Sequence, residues 1–150
     1  IIFVREVMRT NLVVLSPARD ASDWSPVHQL DRMAQRLFPV VDDAGAFLGL
    51  VTAKDVPQFL TERSAGGNPS TLNRHPVVAS PDEPLRVVVN RMAEHGVTRL
   101  PVVAPDNPAQ LVGMISLRDL LHARARNLTE ERHRERTLRV RFLEREPRPL

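Results

Sequence analysis

The sequence contains an internal repeat, and this repeat limits the possible folds more than any other feature. The first copy contains Val13–Pro17, Phe38–Val41 and Leu48–Val56, and the second contains Val77–Pro81, Leu100–Val103 and Val112–Leu120. The three matches follow in the same order, at offsets of 64, 62 and 64 residues. Self-similarity at a nearly fixed spacing indicates two copies of one supersecondary unit. The small change in offset requires only connecting loops of different length, which cost little free energy.

Each copy predicts the order strand, helix, strand, turn, strand, helix, which makes an α/β fold. The short β-branched runs Val13–Leu15 and Val77–Ala79 predict buried strands. In the first copy, two strands around the turn formers Asp42–Gly45 predict a hairpin. The second hairpin is predicted to have a longer loop at 105–108.

The predicted helices differ in regularity between the copies. In the second copy, Pro84 precedes apolar residues at helical spacing, and Gly96 closes the pattern. In the first copy, Trp24-Ser25-Pro26 lies where the helix should begin, and only Leu30, Met33 and Leu37 mark an apolar stripe. We therefore expect a first repeat over 1–63, a turn-rich linker over 64–71, a second repeat over 72–124 and a basic C-terminal helix or tail over 125–150.

The repeated motif resembles a pair of CBS (cystathionine-β-synthase-type) domains. Each copy has an apolar residue followed by Pro-Val-Val. After the turn come Gly, two apolar residues, and Thr or Ser, with Asp three residues later. The likeness covers about residues 4–124 and includes a leading segment, Val4–Thr10, and the passage Met92–Pro101. It implies two tandem β-α-β-β-α repeats with pseudo-twofold symmetry, followed by a C-terminal helix. It also implies two clefts that bind AMP, ADP, ATP or S-adenosylmethionine, and assembly into a homodimer.

The residues of the repeated motif suggest how such a ligand is held. Thr52 and Ser116 each end a strand and open a helix, where free backbone N–H groups and the helix dipole favour phosphate. Three residues later, Asp55 and Asp119 offer a carboxylate to ribose hydroxyls. The basic side chains that can pair with phosphate oxygens are Lys54, Arg118 and Arg99. The alternative is a capping box, because Thr or Ser followed three residues later by an acid stabilises a helix start without any ligand.

The second motif is the favoured site, because the resemblance carries more residues there. Thr98 and Arg99 match the ligand-contacting pair before the Pro, where the first repeat has Arg36 and Leu37. The same resemblance implies that Met8 and Thr10 complete this cleft.

Catalysis is not expected from this sequence. The chain has no Cys, no G-x-S-x-G and no P-loop, and its five His residues do not occur at metal-ligand spacing with an acid. The adjacent Asp42 and Asp43 are explained by turn formation. We therefore expect no enzyme activity, no metal and no required cofactor.

The C-terminal tail carries the positive charge of the chain. Residues 118–150 hold 10 basic and 6 acidic side chains, and the near absence of Gly and Pro over 117–142 predicts a long helix. A solvated helix is favoured over a protein or dimer contact. Nucleic-acid binding is the least favoured, because Phe142 is the tail's one aromatic residue.

The run from Ala123 to Arg136 is similar to the C-terminal cytoplasmic ends of bacterial voltage-gated chloride-channel-family transporters. It implies a membrane-embedded transport domain in the same chain and a cytoplasmic location, and the start at Ile1 is what a fragment of a longer protein would show. We therefore expect an adenine-nucleotide-sensing module that couples ligand occupancy to the activity of its host. The alternatives are a ligand-free dimerisation scaffold and a stand-alone CBS protein.

Overall fold

The computed structural model describes residues 1–18, 34–125 and 137–143, and they form the expected α/β fold. Four helices, a short 3-10 turn and six strands are present in this part of the chain. The helices are α1 (Val4–Val7), α2 (Val56–Ser64), α3 (Leu85–His95) and α4 (Leu117–Ala125), and the 3-10 turn is Ala53–Asp55. The strands are β1 (Asn11–Val14), β2 (Leu37–Val41), β3 (Phe47–Thr52), β4 (Arg99–Ala104), β5 (Asn107–Ser116) and β6 (Arg139–Phe142).

The described part of the chain forms two compact units that do not coincide with the two sequence repeats. Unit 1 consists of Ile1–Leu12 and Pro76–Arg139, and unit 2 of Val13–His75 and Val140–Leu150. Each unit therefore contains the hairpin of one repeat together with the segment that leads into the other repeat. The predicted repeat boundaries describe where the sequence pattern recurs. The packed units have other boundaries, because each unit combines residues of both repeats.

The hairpin of unit 2 forms as its turn residues predict. Strands β2 and β3 pair antiparallel from Leu37 opposite Thr52. The Asp42 carboxylate accepts hydrogen bonds from the N–H groups of Ala44 and Ala46, at 3.0 and 2.8 Å. Gly45 has a φ of 85°, a conformation that costs a glycine little. Asp42 is thus used by the turn, as expected.

The hairpin of unit 1 has a tighter turn than the sequence predicted. Pro105 and Asp106 alone form the turn, and Ala104 lies opposite Asn107. The expected longer loop at 105–108 was wrong, because Asn107 and Pro108 extend β5 instead. Two irregularities in the register, next to Val103, absorb the additional residues.

The two β-branched runs pair with these hairpins through one residue each. Leu15 bridges Val40 in parallel, and Ala79 bridges Val102 in the same way. The Ala79 N–H donates to the Pro101 carbonyl at 2.9 Å. The predicted strand at Val77–Ala79 is therefore reduced to a single bridge, whereas the prediction at Val13–Leu15 overlaps β1.

Helix α3 confirms its prediction at both ends. It starts after Pro84 and ends at Gly96, whose φ of 64° is the left-handed conformation common after helices. Val88 and Met92 are buried on its inner side, and Val89 stays exposed. The corresponding helix predicted in the first copy falls on residues outside the described part of the chain, apart from Leu37, which lies in β2.

Each unit has its own apolar core. The core of unit 1 is formed by Val4, Val7, Met8, Ala79, Val88, Met92, Leu100, Val102, Ile115, Leu120 and Ala123. The core of unit 2 is formed by Val13, Leu15, Phe38, Val40, Val51, Val56, Phe59, Leu60, Leu72 and Leu143.

Salt bridges fasten the segment before α3 in unit 1. The Arg91 guanidinium donates to both oxygens of Glu83, at 2.7 and 2.5 Å, and also to the Val78 carbonyl at 3.0 Å. The Ser80 N–H donates to the same carboxylate at 2.8 Å. The hydrogen bonds from Arg91, assisted by that from Ser80, hold the pKa of Glu83 below its ordinary value. On the surface, Arg5 of α1 pairs with Asp82 at 3.0 Å.

The tail departs from the predicted helix at its far end. Residues 126–136 lie outside the described part of the chain, but 139–142 form strand β6, which pairs with β1. The Arg139 N–H donates to the Thr10 carbonyl, and the Leu143 N–H donates to the Val14 carbonyl. A helix through Phe142 was therefore wrong. The alternating Arg139-Val140-Arg141-Phe142 pattern suits a strand that has a partner.

Candidate ligand-binding site

The leading segment of the first repeat pairs with the hairpin of the second. Arg9 and Met114 exchange two backbone hydrogen bonds, at 2.7 and 2.9 Å. In unit 2, Asn73 and Leu50 make the equivalent exchange at 2.9 Å in both directions. The sequence offset of 64 residues relates Arg9 to Asn73 and Met114 to Leu50. Each hairpin thus receives a further short strand contact, and this one comes from the other repeat.

The motif glycines make this crossing possible. A Cβ added at Gly113 would lie 2.8 Å from the Arg9 carbonyl oxygen and 2.9 Å from the Met8 sulfur. A Cβ at Gly49 would overlap the Asn73 carbonyl. Because neither position has room for a side chain, the Gly of the repeated motif is explained by close backbone approach.

The second motif forms the capping box that was one of its two expected roles. The Ser116 N–H donates to Asp119 Oδ2, and the Asp119 N–H donates to Ser116 Oγ, both at 3.1 Å. The Leu117 N–H donates to the Thr98 carbonyl at 2.8 Å. The expectation of free N–H groups at this helix start was thus wrong for these three residues.

An ion pair joins the leading segment to the capping carboxylate. Arg9 Nε donates to Asp119 Oδ1 at 2.8 Å. The Arg9 side chain is 56% exposed, whereas that of Asp119 is 10% exposed. The carboxylate expected to bind ribose is therefore nearly covered, with an arginine lying over it.

The other predicted residues of this site lie in the same unit. Met8 is buried, and Thr10 is half-buried at the end of the leading segment. Thr98 and Arg99 are exposed where β4 begins, and Arg99 Nη1 donates to Thr98 Oγ1 at 3.4 Å. Arg118 is exposed in the first turn of α4. The residues predicted to bind the ligand at the second motif thus come from three places: the leading segment, the start of β4 and the start of α4.

The first motif differs from the second in its local structure. Thr52 makes no capping hydrogen bond, and the next three residues form a 3-10 turn before α2 begins. The Asp55 side chain, at the N-cap of α2, makes no capping hydrogen bond either. Thr52 and Lys54 are exposed, and Asp55 is half-buried. Among the residues that the structure describes, the three predicted residues of unit 2 form no capping box, and no ion pair with the Asp55 carboxylate is seen.

Arg9 is not among the residues that the sequence predicts for this site. Its neighbours Met8 and Thr10 are, but 110 residues separate Arg9 from Asp119. No local pattern links residues that far apart. The usable signal is the repeat itself, because position 9 corresponds to Asn73 and the two copies therefore differ in charge at this point.

The described residues contain no group of three or more His, Cys, Asp or Glu side chains that would hold a metal ion. Over the same ranges, none of the helices combines the length and the apolar character that a bilayer crossing needs.

The CBS domain model matches residues 4–62 and 70–126, which is most of the chain. The chain belongs to the CBS-domain family. The CBS repeats explain why two hairpins with the same motif occur in one chain.

Two similar curated proteins are both longer than this chain. Uncharacterized protein MJ1225 of Methanocaldococcus jannaschii is 28% identical over 120 residues, covering 79% of this chain and 41% of that protein. Inosine-5'-monophosphate dehydrogenase of Halobacterium salinarum is 26% identical over 116 residues, covering 77% of this chain and 22% of the enzyme. The chain thus spans less than half the length of these relatives.

Solved structures of CBS proteins have the same fold. CBSX2 in complex with AMP superposes with a TM-score of 0.64 at 22% identity, covering 82% of this chain and 96% of that one. The CBS domain pair of protein MJ0100, in complex with 5'-methylthioadenosine and S-adenosyl-L-methionine, gives a TM-score of 0.59 at 20% identity, covering 83% and 97%.

Proposed function

We propose that this CBS pair is a regulatory module that binds an adenine nucleotide at the second motif, in unit 1. The observation that carries the proposal is the meeting of Arg9, at the leading segment, with Asp119, at the start of α4. Support comes also from solved relatives, since CBSX2 is in complex with AMP and the MJ0100 pair is in complex with S-adenosyl-L-methionine. The module senses a ligand and does not itself catalyse a reaction.

The residues take distinct roles in this proposal. Asp119 accepts hydrogen bonds from ribose hydroxyls, and Ser116 holds that carboxylate in place. Arg99 and Arg118 offer guanidinium groups to phosphate oxygens. Met8 and Thr10 border the adenine. A second ligand, AMP, ADP, ATP or S-adenosylmethionine, has Thr52, Lys54 and Asp55 as its candidate contacts in unit 2.

A second proposal is that the module assembles as a homodimer, and an apolar surface on unit 1 favours it. A groove of about 510 Å³ lies between the chain start, α3 and α4, lined in part by Val89, Leu117 and Leu121. Leu121 is 62% exposed. Covering such a surface with a second copy removes apolar area from water. If no nucleotide binds, dimerisation is the scaffold function that remains.

The host of the module is a separate proposal. A chloride-channel-family transporter, with a membrane domain in the same chain and this module on the cytoplasmic side, is supported by the tail pattern alone. None of the relatives named above is a transporter by name, and a CBS protein without a transport domain fits them as well. We therefore propose nucleotide sensing as the function without fixing the host.

Ligand-dependent melting tests the sensor. A ligand at about 100 times its dissociation constant adds about 2.7 kcal/mol, which raises the melting temperature by roughly 5 to 10 °C. The ligands are AMP, ADP, ATP and S-adenosylmethionine, each confirmed by calorimetry. Asp119→Ala should remove the shift, and Asp82→Ala, an exposed acid of the same unit, should keep it. If no ligand shifts the unmodified chain, nucleotide sensing is wrong and the scaffold proposal takes its place.

A further inference from the structure

We propose that Arg9 is a selectivity latch: it covers Asp119 and leaves it only for a ligand that carries its own phosphate. This inference rests on the proposed function and concerns which adenine ligand the second motif accepts. The expected order of affinity is phosphorylated nucleotides first, neutral adenosine second and cationic S-adenosylmethionine last.

Both carboxylate oxygens of Asp119 already accept hydrogen bonds. Oδ2 accepts from the Ser116 N–H at 3.1 Å, and Oδ1 accepts from Arg9 Nε at 2.8 Å. With 10% of the side chain exposed, little of the carboxylate is left for a ribose to reach. Ribose binding at Asp119 therefore requires the arginine side chain to move.

The Arg9 side chain can move, whereas its backbone is held in place. Its backbone is fixed by the two hydrogen bonds to Met114. Its side chain is 56% exposed and holds Asp119 through Nε alone. The guanidinium carries five N–H donors, so the four on its terminal nitrogens remain for an anion. If the Arg9 side chain rotates, its guanidinium can leave the Asp119 carboxylate and bind a ligand phosphate. The backbone hydrogen bonds between Arg9 and Met114 stay in place.

The charge around the motif makes this exchange depend on the ligand. Arg99 and Arg118 are exposed at the starts of β4 and α4, in the same unit as Arg9, so the proposed site has three guanidinium groups and one motif carboxylate, that of Asp119. An Arg9 that leaves Asp119 needs a new anionic partner, which a phosphate supplies through charge-assisted hydrogen bonds. Adenosine offers none, and in S-adenosylmethionine the sulfonium and ammonium groups outweigh the single carboxylate, so that this ligand is a net cation.

The first motif lacks the latch and serves as an internal comparison. At the position equivalent to Arg9 the chain has Asn73, whose side-chain oxygen accepts from the His75 N–H at 3.1 Å. The Asp55 carboxylate has no hydrogen bond or ion pair with any residue in the described ranges. Selection for phosphate by an arginine latch should therefore be specific to the second motif.

The test uses calorimetry with AMP, adenosine and S-adenosylmethionine on a chain in which Asp55→Ala disables the first motif. Arg9→Gln should weaken AMP binding about tenfold or more, because a charged hydrogen bond is lost. The same change should strengthen adenosine binding by up to about fivefold, because the Arg9–Asp119 ion pair no longer has to be broken. This factor corresponds to the free energy that a partly exposed ion pair contributes. Arg5→Gln is the matched control, since Arg5 is 50% exposed and paired with Asp82, and it should change neither affinity.

Each other outcome overturns the latch. Weaker AMP binding without a gain for adenosine would make Arg9 a simple phosphate contact. A gain for both ligands would make it an obstacle without selectivity, and no change in either would remove it from the site. If the unmodified chain binds none of the three ligands, the proposed function itself fails, and that result is distinct from binding with an unaltered preference.

Discussion

Replacing Gly113 by alanine is the most direct test of the crossing between the leading segment and β5. The added Cβ would lie 2.8 Å from the Arg9 carbonyl oxygen, and 2.9 and 3.2 Å from Sδ and Cγ of Met8. The methionine side chain can adjust, but the carbonyl is held by its hydrogen bond from the Met114 N–H at 2.9 Å. The backbone of the leading segment must therefore move away from the hairpin.

The expected cost follows from two effects. Overpacking a tight site costs about 1 to 3 kcal/mol. Lengthening the two Arg9–Met114 hydrogen bonds adds about 1 kcal/mol, since each contributes roughly 0.5 to 1.5 kcal/mol. The free energy of unfolding should fall by about 2 to 4 kcal/mol. Backbone strain adds nothing, because Gly113 is not among the positive-φ glycines.

Urea denaturation, monitored by circular dichroism, measures this change. The urea concentration at the midpoint should fall, while the slope of the unfolding free energy against urea concentration stays the same. Gly67→Ala is the control, because its nearest atom would be the Glu62 carbonyl oxygen at 3.7 Å, an ordinary contact, and Gly67 is not a positive-φ residue either. Should the two variants differ by less than about 0.5 kcal/mol, the close approach at Gly113 would not limit this position, and the account of the motif glycine would be wrong.

Three further predictions concern stability and assembly. Glu83→Gln should cost about 1 to 3 kcal/mol at neutral pH, by urea denaturation, because Arg91 loses its carboxylate. Since the pKa of Glu83 is lowered in the fold, its contribution is complete above the unfolded-state pKa and disappears as pH falls through the folded-state value, so the two chains should converge in acid. Met92→Ala should cost about 2 to 5 kcal/mol in the same assay, and Val89→Ala, at an exposed position of the same helix, less than about 1 kcal/mol. Leu121→Asp should turn a dimer into a monomer in analytical ultracentrifugation, and an unchanged mass would place the dimer contact elsewhere.

Local chemistry explains what was predictable from the sequence. The first hairpin followed from the turn formers Asp42–Gly45 between two predicted strands, and α3 followed from Pro84, its apolar spacing and Gly96. The Ser116–Asp119 pair was predictable as a capping box, since both partners lie within one turn. These features depend on residues close together in the chain, where propensity and hydrogen bonding act without tertiary help.

The unpredicted features depend on partners that are distant in sequence. Strand β6 forms because the tail pairs with the edge of β1. This pairing outweighs the local helix propensity of Arg139 to Phe142. The short turn at Pro105 follows from register changes within β5, which no count of loop residues reveals. The Arg9 ion pair is the clearest case, because it joins residues 110 positions apart.

The exchange of leading segments has a consequence for how the chain can be divided. Unit 1 needs residues from Ile1–Leu12 and from Pro76–Arg139, so a cut in the linker at 64–71 separates its parts onto two fragments. Neither half contains a full unit, whereas two halves expressed together contain all of both. Deletion of one repeat therefore removes a piece of each unit, and neither unit is complete unless both repeats are present.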